Sequence, residues 1–190
     1  MTRKSYLQPS AHQSHYGGVA QSLHWVMVVL IFTAFGVGLW MVDLPLFQRL
    51  RTVSLHKSIG VTIFLFVLVR LVWRWTHSAP TLPDSMPAWE RHAAITAHWL
   101  LYTLMVAVPV SGWLMSGALG VATVPFGLAR LPDLVERNRE LGETLKIVHF
   151  VLNKSLLALI VLHVAAALKH FFIDRDGVLQ RMLPMRRKRA

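Results

Sequence analysis

The chain has 190 residues, of which 54% are hydrophobic and 15% charged, whereas soluble domains carry about 25% charged residues. With a mean hydropathy of +0.47 it is not an ordinary water-soluble globule, and the absence of cysteine excludes disulfides and every thiolate-held metal or cluster. In so apolar a chain the formal charge of +11 reads as the basic flanks of membrane helices meeting anionic lipid, not as a nucleic-acid surface.

A helix that crosses a bilayer needs about 20 mostly apolar residues. Four stretches meet that length: 23–42, 55–75, 96–117 and 147–172. The first is too long for a cleavable signal, and no small-residue cleavage site follows it. A short Pro-rich loop, SAPTLPDSMP, joins the second span to the third. Pro109 falls inside the third span, where a bundle interior tolerates a kink. The segment 118–146 is longer and mixed in charge, and its LPDLVERNRELGETLK stretch reads as a short amphipathic helix covering one membrane face. The expectation is an all-α membrane four-helix bundle, one domain over 1–190, with a basic tail at 173–190.

Lys and Arg near the spans set orientation. One side collects twelve: Arg3, Lys4, Arg70, Arg74, Arg91, Lys169, Arg175, Arg181, Arg186, Arg187, Lys188 and Arg189. The other collects seven: Arg49, Arg51, Lys57, Arg130, Arg137, Arg139 and Lys146. Both termini are therefore expected in the cytoplasm, with the segment 118–146 outside.

Ten histidines are the unusual feature, because a histidine inside a span is costly and points to function. His149 and His163 are 14 residues apart on the fourth span. At 100° and 1.5 Å per residue they share a face and stand about 21 Å apart along the axis. His24 opens the first span on the inner side, level with His163. His56 opens the second on the outer side, level with His149. Two pairs result, each from two helices, at two depths. Six-coordinate b-type haem iron requires such a pair, one imidazole on each side of the ring, in the core of a bundle. A zinc centre needs about four ligands around one point, and ligands at two depths do not converge. No Asp or Glu lies within a predicted span, so a carboxylate cation path lacks its residues. Metal or solute transport, or a purely structural role for the histidines, is the alternative reading.

The motifs SLHW (Ser22 to Trp25), LHKSIG (Leu55 to Gly60), Pro-Val-Ser-Gly at 109–112, Phe126–Gly127, Leu131–Pro132 and the run HVAAALKHFF…DRDGVLQRMLP at 163–184 resemble the bacterial cytochrome b561 family over about residues 20–185. The resemblance implies a bacterial inner-membrane diheme cytochrome b. It pairs His24 with His163 as inner haem ligands and His56 with His149 as outer ones. It also implies ubiquinone as electron acceptor and, in one branch, superoxide as the outer donor, the chain then being a superoxide:quinone oxidoreductase. Charge and aromatic positions in the outer segment depart from that branch. A diheme subunit docking a partner dehydrogenase, or quinol oxidation toward an outer acceptor, uses the same frame.

Further residues carry narrower expectations. His170, seven residues beyond His163, is a candidate quinone contact, and His98 a candidate quinone or propionate contact. Lys57, Arg49, Arg51 and Arg130 form a candidate positive funnel that would steer a small anion, against the plainer reading of membrane-flank charge. Arg70 and Arg74 are expected to snorkel to headgroups, and Lys154 to snorkel outward. Trp25, Trp40, Trp73, Trp75, Trp99 and Trp113 read as interface anchors. Gly36, Gly38, Gly60 and Gly112 are small residues that permit close approach. His12, His15, His77 and His92 are expected in solvated tails or loops.

Overall fold

The computed structural model describes residues 15–83 and 85–183. Arg3, Lys4 and His12, and the basic residues Arg186, Arg187, Lys188 and Arg189, lie outside the described residues. The described secondary structure is entirely helical. Its long helices are α1 (Gly18–Trp40), α2 (Leu46–Thr76), α3 (Ala88–Ala118) and α4 (Arg139–Lys169). All four are long and apolar enough to cross a membrane.

Helices α2, α3 and α4 have 31 residues each, about 46 Å at 1.5 Å per residue, so they outreach a hydrocarbon core of about 30 Å. Each begins eight or nine residues before its predicted span. Hydropathy marks the lipid-immersed part of a helix, and backbone chemistry marks its end. Pro45 and Pro87 stand immediately before α2 and α3, where a missing N–H costs nothing. Asn138 caps α4, its Oδ1 accepting the Leu141 N–H at 3.0 Å. The predicted amphipathic helix is therefore corrected. Residues 131–138 are non-helical, and RELGETLK from Arg139 onward is the first two turns of α4. Helix α3 runs on through Pro109.

Helix α3 packs along α4, α1 along α2, and α2 along α3, whereas α4 makes no comparably close backbone approach to α1 or α2. Met27 and Ile31 of α1, Ile59, Ile63 and Val67 of α2, Met105 of α3 and Leu156 of α4 form the buried core. Leu156 falls midway between His149 and His163, so an apolar layer separates the two histidine levels. Phe32, Leu39, Leu65, Val72, Val161 and Leu162 are exposed on the outer surface, as lipid-facing side chains are in a spanning bundle.

The two ends of the bundle are built differently. At one, here the terminal end, the first and last described segments meet. The Tyr16 N–H donates to the Arg181 carbonyl, Gln21 Nε2 to the Arg181 and Leu183 carbonyls, and Trp25 Nε1 to the Met182 carbonyl at 2.9 Å. Trp25 is thus a tie between chain ends. The described part of the expected tail, up to Leu183, is folded against α1. At the opposite, loop end, residues 119–138 return over α2 and α3. Lys57 Nζ donates to the Val121 and Ala122 carbonyls, and the Phe126 N–H donates to Ser58 Oγ at 2.8 Å. Phe126 adopts φ 50°, a conformation rare outside glycine, and the Ser58 bond holds it there.

Candidate functional site

Helix periodicity brings four histidines from three helices to two levels. At the loop end His56 of α2 faces His149 of α4, with ring centroids 6.5 Å apart. At the terminal end His24 of α1 faces His163 of α4, also at 6.5 Å. A metal–imidazole bond is about 2 Å long, so two imidazoles on opposite sides of one ion have centroids about 6 Å apart. Both pairs have that separation, and α4 contributes one member to each.

At the loop end the ring nitrogens and their neighbours fit a coordinating role. His149 Nδ1 lies 3.1 Å from the Val108 carbonyl and 2.9 Å from Ser111 Oγ. It donates to these acceptors, which leaves Nε2 as the lone-pair nitrogen. His56 Nδ1 is buried without a hydrogen bond of good geometry, the Ala34 backbone being the polar group that acts on its ring. Two glycines make room for the rings. A Cβ on Gly38 would stand 3.1 Å from His56 Cε1, and one on Gly112 3.1 Å from His149 Cε1. Both are tighter than ordinary van der Waals contact. By contrast, no atom lies within 4 Å of the corresponding position at Gly36 or Gly60, so the expectation of close approach holds at two of the four glycines. The residues present therefore fit b-type haem, with an imidazole pair at each of two levels.

The terminal-end pair has a cationic neighbour. Arg70 Nη1 lies 3.1 Å from His24 Nδ1, and Arg70 Nε donates to Tyr102 Oη at 3.2 Å. The expectation that Arg70 snorkels to headgroups is corrected: its guanidinium turns inward because His24 and Tyr102 supply acceptors inside the bundle. Sequence reasoning passed over the signal. Arg70 follows His56 by 14 residues, the interval that separates His149 from His163, so it occupies the histidine face of α2 at the terminal-end level.

His98 of α3 also reaches this level, its ring centroid 5.3 Å from that of His163. Its Nδ1 donates to the Ala94 carbonyl at 2.6 Å. The shorter separation leaves less room for an ion between rings than His24 does. His170 is buried in the π-helical turn His170–Asp174 that follows α4. Its Nδ1 contacts Asp176 Oδ2 at 2.7 Å and Asp174 Oδ2 at 3.0 Å. Lys169 joins Asp174 to Glu90, each at 2.8 Å, tying the start of α3 to the end of α4. Glu90, His170 and Asp174 offer ligand atoms within 4.8 Å of one another, but this acidic group is already bonded to Lys169 and contains none of the four paired histidines.

The basic residues of the loop end are individually engaged. Lys57 holds the loop carbonyls described above. Arg49 donates to the Leu44 and Val42 carbonyls, Arg51 lies over the Phe47 ring, and Arg130 pairs with Asp133 at 2.6 Å. They do not converge as one cluster of free charges. Lys154 is exposed with Nζ over the Phe150 ring. His77 stacks on Trp73, and His15, His77 and His92 are exposed.

The family model described as prokaryotic cytochrome b561 matches residues 15–185. The chain is similar to cytochrome b561 homolog 2 of Escherichia coli strain K12, 34% identical over 170 residues, which is 88% of this chain and 90% of the relative. It is similar to cytochrome b561 homolog 1 of the same strain, 30% identical over 132 residues, 70% of this chain and 74% of the relative. It is also similar to the probable superoxide oxidase CybB of Yersinia pestis, 26% identical over 172 residues, 90% of this chain and 97% of the relative. With four apolar helices and a match along nearly the whole described chain, the protein belongs to the prokaryotic cytochrome b561 family and is a multi-pass membrane electron-transfer protein of the b-haem type.

Proposed function

We propose that the chain is a single-domain, two-haem electron carrier of the bacterial inner membrane that takes electrons from superoxide at its loop end and delivers them to ubiquinone at its terminal end. In this reading the terminal end, with both chain termini, faces the cytoplasm and the loop end faces the periplasm. The observation that carries it is the pair of matched 6.5 Å imidazole separations, one at each end of α4. His56 and His149 hold the outer haem iron, and His24 and His163 the inner one. When bound, the two haems supply one-electron redox chemistry at two depths.

The chain's own residues do the rest. Ser58 and Lys57 hold the segment 119–138 over the end of α2 beside His56. Seven basic residues (Arg49, Arg51, Lys57, Arg130, Arg137, Arg139, Lys146) against five acidic ones (Asp43, Asp133, Glu136, Glu140, Glu143) leave this end modestly positive, which favours approach of a small anion. At the other end His170, its Nδ1 against Asp176, is the residue that would hydrogen-bond a quinone carbonyl. The overall reaction balances: two superoxide ions each lose one electron to become dioxygen, and one ubiquinone gains two electrons and two protons. The name of the 26% identical relative supports superoxide as donor. The more similar relatives are named only as cytochrome b561 homologs.

The test is to supply purified, haem-loaded protein with a superoxide source and ubiquinone. The expected result is superoxide-dependent ubiquinol formation, one ubiquinol per two superoxide ions, which slows as ionic strength shortens the range of the positive end. Absence of superoxide-dependent reduction of haem or quinone would overturn superoxide as donor and leave electron supply to a partner dehydrogenase.

A further inference from the structure

The two imidazole pairs are alike in separation and unlike in what their outward-facing Nδ1 atoms meet. At the loop end His149 Nδ1 faces two oxygen acceptors, the Val108 carbonyl and Ser111 Oγ. At the terminal end His24 Nδ1 faces the Arg70 guanidinium. Guanidinium is always charged and only donates. Among the described residues Arg70 forms no ion pair with a carboxylate. Its fixed neighbours are Tyr102 and histidines.

We propose that this contrast sets the direction of electron flow: Arg70 raises the reduction potential of the inner haem, and the Val108–Ser111 acceptor pair lowers that of the outer one. The inference rests on the two-haem reading above. Its physics is second-shell tuning. An imidazole that donates its far N–H to a carbonyl is a more basic ligand and stabilises ferric iron. A fixed cation beside the ligand opposes the extra positive charge of the ferric state and stabilises ferrous iron. Both effects are enlarged in a low-dielectric bundle. The electron is the same on both sides of the step, so outer ferrous and inner ferric iron become outer ferric and inner ferrous iron with no proton moved.

The guanidinium cannot keep a hydrogen bond to His24 once Nε2 coordinates iron, because Nδ1 then carries the proton. Arg70 remains tethered through Nε to Tyr102. Held there, its positive charge would favour the reduced state of a haem between His24 and His163. Lys57 adjoins His56 but does not cancel this asymmetry. Its ammonium is turned to the loop carbonyls of Val121 and Ala122, not to a histidine nitrogen.

The experiment is an optical redox titration of the purified, haem-loaded protein and its Arg70→Gln and Arg70→Lys variants. The two haem signals are assigned from His24→Ala and His149→Ala proteins. In the wild type the inner midpoint should lie above the outer. In Arg70→Gln the inner midpoint should fall by about tenfold in its electron equilibrium, about 59 mV for a one-electron couple, with the outer unmoved. Arg70→Lys, which keeps the charge, should retain most of the wild-type inner potential. Equal shifts of both haems, no shift in Arg70→Gln, or an equal fall in Arg70→Lys would overturn the assignment. Should Arg70→Gln fail to load its inner haem, the wild-type order decides, and an inner midpoint below the outer overturns the proposal. Failure to find two haems per chain would be a failure of the two-haem reading, and is distinguishable from two haems with the wrong order.

Discussion

The loop end and the terminal end hold imidazole pairs at the same separation, yet His149 of one meets oxygen acceptors and His24 of the other meets a guanidinium. At the loop end His149 is seated by a carbonyl, a hydroxyl and the missing side chain of Gly112, and the segment 119–138 is pinned above by Lys57 and Ser58. At the terminal end His24 meets Arg70, His163 has His98 at its edge, and His170 is held by two aspartates nearby. On the two-haem reading, the same pair geometry in two electrostatic settings would make two chemically identical cofactors differ in function.

The comparison breaks most sharply if the two levels are not independent. His149→Ala should remove the outer haem and keep the inner, and His24→Ala should do the reverse. Haem content per chain in each variant checks this, and loss of both haems from either change would contradict separate sites. Gly112→Val is the next largest. Even a Cβ there stands 3.1 Å from His149 Cε1, so a branched side chain should displace the ring and cost the outer haem while the inner absorption band survives. An intact outer band would show that α3 and α4 separate easily.

The fold was largely legible because hydropathy over about 20 residues measures a bilayer directly. What it missed were helix ends. The polar turns LFQRLRTV and RELGETLK carry helix beyond the lipid, and their limits are set by Pro45 and Asn138, not by apolarity. The four paired histidines were legible because helical repeat converts spacing into depth and face. Arg70 was not, because a basic residue near a span end suits lipid headgroups equally well, and only its 14-residue interval from His56 distinguishes the inward setting. Ser111 and Asp176 were not legible either. A hydroxyl or carboxylate that orients a histidine from another segment leaves no periodic trace in sequence.

Smaller effects sharpen the account of the loop end. Ser58→Ala removes the oxygen that accepts the Phe126 N–H, leaving a partly buried donor unpaired at a cost of about 1–3 kcal/mol. Hydrogen exchange should accelerate across 119–131 and stay unchanged in the middle of α4. Protection unchanged in that segment would mean the loop is held elsewhere. The smallest effect is expected for His98→Ala. His98 neighbours the inner pair but uses its Nδ1 on its own helix, so both haems should remain, with at most a modest change in the inner band. Loss of the inner haem would make His98, not His24, the partner of His163.

The central claim is that α4 carries one imidazole of each of two haem-binding pairs, and the most direct measurement is haem b per polypeptide, by pyridine haemochrome absorbance against protein mass, in chain purified from haem-replete cells. The account predicts two. A value of one, or a colourless protein, would contradict it.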